Sequence, residues 1–246
     1  MTNLLYQTDS YLKTFETRVI SHETDMHGVI LDQTAFYPGG GGQPADSGYL
    51  KTIQEDQYRI SRAKKVGAHV IHLMEGEHPL PVIGSLVRGE IDWERRYQLM
   101  RTHTAMHILC GVIFRDYGAL VTGGDMDPLA GRMDFEFETM HKDLVAEIEH
   151  SINLEVAKSL PVEVKILPRE LAFQIPDLIR TKINLLPEGI QQVRVVEIVS
   201  LDLQADGGTH VHNSAEVGSI RVVDYKSKGK INKRIYLELD PQPADV

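Results

Sequence analysis

With 246 residues and 42% hydrophobic side chains, the chain has apolar material for one large core or two modest ones. A formal net charge of −9 argues against a protein that coats nucleic acid through bulk electrostatics, so a phosphate-bearing partner has to meet a local basic patch. The single cysteine, Cys110, excludes an internal disulfide framework, and with no leader-like segment and no long apolar run a soluble, cytoplasmic protein is expected.

In chain order, residues 1 to 91 read as short strands joined by turns. Val29-Ile30-Leu31 and Ala35-Phe36-Tyr37 flank Asp32-Gln33-Thr34, and Asp46-Ser47-Gly48 and Glu75-Gly76-Glu77 are turn signals between further apolar runs. Turn spacings of about ten residues suit a small β-barrel. Gly84 to Ile91 reads as a last strand, and Asp92 as the N-cap of a helix from Trp93 to about Tyr117. A second helix is expected from His141 to Leu160, with Leu144, Val145, Ile148, Ile152 and Val156 on its buried stripe and Pro161 stopping it. Val162, Val164 and Ile166 alternate with charged residues as a half-exposed strand, Val193 begins another, and the last strands hold Ile220 to Val223 and Ile235 to Leu239. The fold class is therefore α+β. A β-barrel domain over 1–91 precedes an α+β domain over 92–246, with an antiparallel sheet and helices packed on one face.

Two five-residue blocks carry the chemistry. His103-Thr104-Ala105-Met106-His107 puts two imidazoles on one face of a helix, roughly 6 Å apart at Cβ, the spacing one metal ion needs. The position after His103 holds no Glu, so the H-E-x-x-H protease pattern fails at its general base. Asp206-Gly207-Gly208-Thr209-His210 places a carboxylate and an imidazole around two glycines that let the backbone turn tightly. Three imidazoles with an open position describe a catalytic zinc site, whereas four protein ligands describe a closed structural one. Near the C-terminus, Arg221, Lys226, Lys228, Lys230, Lys233 and Arg234 are opposed only by Asp224, which is either a phosphate-binding patch or a solvated hairpin.

These blocks, together with Gly131-Arg132-Met133-Asp134-Phe135 and with Asn213 and Glu216-Val217-Gly218, resemble the editing domain of alanyl-tRNA synthetase. The chain is similar to the free-standing AlaX group of alanyl-tRNA editing proteins over nearly its whole length, because Phe36-Tyr37-Pro38-Gly39-Gly40-Gly41-Gly42-Gln43 with Asp46 and Gly48 matches the family's glycine-rich barrel motif. Threonyl-type editing domains share the histidines but not this barrel signature. The resemblance implies His103, His107 and His210 as ligands of one zinc ion per chain. It puts a cysteine where this chain has Asp206, leaving Asp206 as a fourth, oxygen ligand or as an acceptor behind the ligands. Cys110, seven residues after His103, is read as a buried small hydrophobe, and His212 as a surface or substrate-facing residue. The loop of Gly39, Gly40, Gly41, Gly42 and Gln43 is not a nucleotide loop, lacking a following Lys-Ser/Thr; the resemblance makes it a loop that narrows the editing pocket.

The implied reaction is hydrolysis of the ester in Ser-tRNA(Ala), with Gly-tRNA(Ala) as a second candidate. Zinc polarises the carbonyl and activates water, or else anchors the substrate while a ribose hydroxyl directs the water. Rejecting alanine requires a hydroxyl sensor, for which Thr122 and Thr104 are the candidates. Arg95, Arg96 and Arg101 at the start of the first helix, with Lys226, Lys228, Lys233 and Arg234, are expected to hold the acceptor end of the tRNA. No membrane and no obligate protein partner are indicated. The alternatives are a non-catalytic tRNA-binding or regulatory module that lost activity with the cysteine, and a metal-dependent hydrolase of a small ester.

Overall fold

A computed structural model describes residues 1–182, 186 and 189–241, in two compact units, Met1–Tyr97 and Gln98–Val246. In the first unit, β1 (Asn3–Leu4) pairs in parallel with β4 (Gln33–Thr34). The other strands are β2 (Thr14–Glu23), β3 (Gly28–Leu31), β5 (Gly48–Thr52), β6 (Gln57–Val66), β7 (His69–Met74) and β8 (Leu86–Ile91). These six close an antiparallel barrel in the order β2-β3-β7-β6-β5-β8. Alternation builds it: Phe15, Thr17 and Val19 of β2 point inward while Glu16, Arg18 and Ile20 face out. The inner faces supply a core that includes Phe15, Leu31, Phe36, Leu50, Ile60 and Val87. Gly48 and Gly89 are required by that packing, since a Cβ at Gly48 would meet the Glu90 carbonyl and one at Gly89 the Phe15 ring.

The chain passes from one unit to the other inside α1 (Trp93–Tyr117), whose residues are all buried from Leu99 to Ile113. The hairpin β9 (Val121–Asp127) and β10 (Ala130–Glu136) follows, two strands the hydrophobic pattern did not announce. Next come α2 (Lys142–Ala157), β11 (Val162–Pro168) and the single turn α3 (Arg169–Ala172). The chain ends with β12 (Gln192–Ile198), β13 (Asp202–Ala205), β14 (Ile220–Gly229) and β15 (Asn232–Leu239). They form two antiparallel sheets, β14-β15-β10-β9 and β11-β12-β13. The whole is α+β, as its patterning indicates.

Three local expectations are corrected. Helix α2 starts after the His141 cap but ends at Ala157, before Leu160, because Ser159 takes a left-handed backbone with φ of 54°. Glu155 joins its buried stripe, pairing with Arg115 and Lys158, while Leu144 is only half-buried. On β11 only Val162 is buried, and Val164 and Ile166 are exposed on the edge of their sheet.

Candidate metal centre

Helix α1 presents His103 and His107 one turn apart, and the segment after β13 brings Asp206 and His210 to the same place. One ligand-capable atom from each of the four lies within 4.8 Å of the others. The ring centroids of His103, His107 and His210 are 4.3 to 5.1 Å apart, and all three rings are buried. Adjacent ligands of a tetrahedral zinc ion lie about 3.4 Å apart. Asp206 Oδ1 stands 3.5 Å from His103 Nε2, and Asp206 Oδ2 is 3.0 Å from His210 Nε2. The donor set and its separations therefore fit a divalent ion with small adjustments.

The local sequence explains this convergence. Gly131 leaves room for Met106, whose Sδ would lie 3.0 Å from a Cβ there, so β10 packs close to α1. The Asp206 backbone N–H donates to the Arg194 carbonyl at 3.1 Å, and the Gly208 N–H to Asp206 Oδ2 at 2.7 Å. The buried Arg194 donates to the Asp206 carbonyl at 3.0 Å and lies 3.6 Å from its carboxylate. Downstream, Asn213 and Glu216 form a capping box around the 3-10 turn Ser214–Val217, which gives these two motif residues a structural task.

Second nitrogens of the rings are engaged as well. His107 Nδ1 lies 2.9 Å from the Asp202 carboxylate, and His210 Nδ1 lies 3.2 Å from the Thr104 hydroxyl, which also accepts the Val211 N–H at 3.3 Å. These partners leave the Nε2 atoms to face the cluster. Burial drives His103 well below the ordinary imidazole pKa against the pull of Asp206, and drives His210 down to about 4. Burial also disfavours protonated His107, but the hydrogen bond and charge of Asp202 outweigh it and raise the pKa. Burial alone would raise the Asp206 pKa, yet the neighbouring imidazoles hold it well below the usual carboxylate range.

The remaining candidates are dispersed. Thr104 is fully buried and its hydroxyl is committed to His210 and Val211. Thr122 is exposed on β9 and donates to Asn232 Oδ1 at 2.9 Å. Gly39, Gly40, Gly41 and Gly42 all have positive φ, and reciprocal backbone bonds between Gly40 and Gln43 close the loop they form. Cys110 is buried, with its thiol pKa pushed up by burial, and lies outside the ligand group. His212 is exposed, as the sequence suggests.

Several of the cationic candidates prove unavailable to a phosphate. Arg96 is fully buried, pairing with Asp46 and donating to the carbonyls of Ser10 and Ala35. Arg101 is fully buried and donates to the Val217 and Asp240 carbonyls. Lys233 is 6% exposed, and its ammonium donates to the Gly229 and Lys230 carbonyls. Arg95 is half-buried and donates to the Ala45 carbonyl, Lys226 pairs with Asp224, and Arg234 forms a bidentate pair with Asp134. Exposed Lys228 and Lys230 form no salt bridge among the described residues. Sequence reasoning missed Asp202, Gln204 and Arg194. Period-two spacing of Asp202, Gln204 and Asp206 is the signal that puts the first two beside the site.

Comparison with known proteins identifies the relatives of this chain. The family described as "Threonyl and Alanyl tRNA synthetase second additional domain" matches residues 193–236, and "tRNA synthetases class II (A)" matches residues 7–95. The alanyl-tRNA editing protein AlaX-M of Saccharolobus solfataricus is 39% identical over 242 residues, 98% of this chain and 100% of the relative. That of Methanosarcina barkeri is 36% identical, over 97% and 99% respectively. The alanine-tRNA ligase of Pyrobaculum neutrophilum is 38% identical over 90% of this chain, which spans 25% of the ligase. The chain belongs to the AlaX family of alanyl-tRNA editing proteins.

Proposed function

We propose that this protein hydrolyses the ester bond of tRNA(Ala) mischarged with serine, acting in trans and dependent on one zinc ion. Its family makes it an aminoacyl-tRNA deacylase, a hydrolase of carboxylic esters. The observation that carries the zinc reading is the meeting of His103, His107, His210 and Asp206 within 4.8 Å. Three buried imidazoles with converging nitrogens beside one carboxylate are costly unless a cation joins them. Bound zinc polarises the ester carbonyl and lowers the pKa of a water towards neutrality. The chain's own residues prepare that site. Thr104 orients His210, and Arg194 with the Gly208 N–H fixes one oxygen of Asp206, leaving Oδ1 as the fourth donor.

Selectivity for serine is assigned to Thr122, whose exposed hydroxyl can exchange Asn232 for a substrate hydroxyl, whereas Thr104 is already engaged. Lys228 and Lys230 are the candidates for phosphate contact.

The test is deacylation of Ser-tRNA(Ala), Gly-tRNA(Ala) and Ala-tRNA(Ala) with and without a chelator. Turnover of the serine ester, lost on chelation and restored by zinc, is expected. Turnover of none supports the non-catalytic binding module instead, and chelator-resistant turnover refutes the metal role. Thr122→Val should lower the serine-to-alanine rate ratio about tenfold, the worth of one hydrogen bond.

A further inference from the structure

One buried carboxylate beside the metal cluster has no task in the reaction as proposed. Asp202, at the start of β13, is 3% exposed. Its Oδ2 lies 2.9 Å from His107 Nδ1 and accepts a second hydrogen bond, 2.7 Å long, from Gln204 Nε2. Its Oδ1 has no hydrogen-bond partner among the described residues. On the Oδ1 side stands Arg180, whose Nε is 3.8 Å away and whose guanidinium lies over the Phe114 ring at 3.6 Å. At that distance, with no hydrogen bond formed, Arg180 offers Asp202 a distant charge and no directional contact. A carboxylate this deep needs directional donors, and it faces two, the Gln204 amide and the His107 ring nitrogen.

The approach of Asp202 to His107 is built into the helix. Gly111 lies one turn beyond His107, on the stripe that also carries His103. A Cβ at Gly111 would fall 2.9 Å from the Leu201 carbonyl oxygen and 3.0 Å from Asp202 Cβ. Glycine inside a helix costs about 1 kcal/mol relative to alanine, and here it lets the turn before β13 lie against the helix.

We propose that Asp202 is a positioning residue of the metal centre, holding His107 in the tautomer and orientation that turn Nε2 towards the ion. A His ligand whose outer N–H binds a carboxylate is both fixed in orientation and more basic. This rests on the zinc reading above and extends it to a residue outside the ligand set.

Zinc affinity of the metal-free full-length chain, measured by competition with a chromophoric chelator, tests it. The visible spectrum of the cobalt(II)-loaded protein and the melting temperature of the metal-free protein are recorded alongside. Asp202→Asn should weaken zinc binding by roughly ten- to a hundredfold and shift the cobalt bands, with the metal-free melting temperature little changed. Gly111→Ala keeps the carboxylate but crowds the turn that carries it, and should weaken zinc in the same direction. Wild-type zinc affinity and cobalt spectrum in Asp202→Asn overturn the proposal, even if the melting temperature falls. Should that variant fail to fold, unchanged zinc affinity in Gly111→Ala overturns it. Failure of the wild-type protein to take zinc overturns the metal reading and this proposal together.

Discussion

Each unit of the molecule buries a polar cluster, and the two clusters solve opposite problems. In the barrel unit, Arg96 meets Asp46 through Nε at 3.0 Å to both carboxylate oxygens, and its remaining nitrogens reach the carbonyls of Ser10 and Ala35. Asp46 in turn accepts the Tyr37 N–H at 2.6 Å, so the pair ties down both ends of the glycine-rich loop. Opposite charges and matched donors close that cluster on itself. In the second unit, three imidazoles of one kind face each other around a single carboxylate. Ligand-capable atoms of all four side chains converge there within 4.8 Å, an arrangement that could hold a metal ion. Opposite charges in the first cluster and like donors in the second, more than burial, separate a pair that holds a fold from a group that could hold a cation.

The sharpest break is at the second cluster. His107→Ala should remove zinc and lower deacylation at least about a thousandfold, since metal polarisation supplies several kcal/mol of transition-state stabilisation. The barrel unit should be untouched, and the metal-free protein should lose stability only through the Asp202 carboxylate, which keeps its Gln204 donor. Zinc retained at wild-type affinity after this substitution would remove the distinction.

The first cluster should respond in the reverse manner. Asp46→Ala leaves Arg96 charged, buried and unpaired, a loss of about 3–5 kcal/mol visible as a lowered denaturation midpoint. Replacing both partners by Met and Leu should cost much less than either single change, because no charge is then left behind. A single-variant loss below ~1 kcal/mol would show that the pair does not organise the loop.

His72 sharpens the comparison, as a buried histidine whose two ring nitrogens both have protein partners. Its Nε2 is 2.8 Å from the Thr34 hydroxyl and its Nδ1 3.3 Å from the Val29 carbonyl, which suits a neutral ring donating from Nδ1. Burial pushes its pKa from 6.5 to about 4. Between those pH values the unfolded chain binds a proton that the folded chain refuses, so stability falls as pH drops through this window. The loss reaches about 3 kcal/mol by pH 4 and is absent above pH 6.5. In His72→Gln that share of the pH dependence should vanish; an unchanged slope between pH 6.5 and 4 would contradict it.

Much of this was legible in the sequence. Period-two alternation announced the barrel strands, Asp92 the start of α1, and the two histidine blocks a cluster that could hold a metal ion. What local pattern could not show was pairing at a distance. Arg96 sits beside Arg95 on the same helix, yet one finds Asp46 fifty residues away and is buried, while the other stays half-exposed. Asp202 reads as a turn residue until the fold lays it against His107. Hairpin β9–β10 escaped because glycines and acids dilute its alternation.

The basic C-terminal hairpin shows the same limit at the surface and carries the smallest predicted effects. Its run of lysines and arginines looks uniform, but Lys233 is bound to two carbonyls and Arg234 to Asp134, while Lys228 and Lys230 form no salt bridge among the described residues. Each lysine that meets a phosphate contributes about 0.9 to the slope of log affinity against log salt. Lys228→Ala should therefore lower that slope by about 0.9 for tRNA binding while leaving the melting temperature unchanged. Lys233→Ala should do the opposite, lowering the melting temperature by a few degrees with the slope intact, because its charge is spent inside the hairpin. A slope change for Lys233→Ala equal to that for Lys228→Ala would mean that tRNA binding opens the hairpin and frees the buried ammonium.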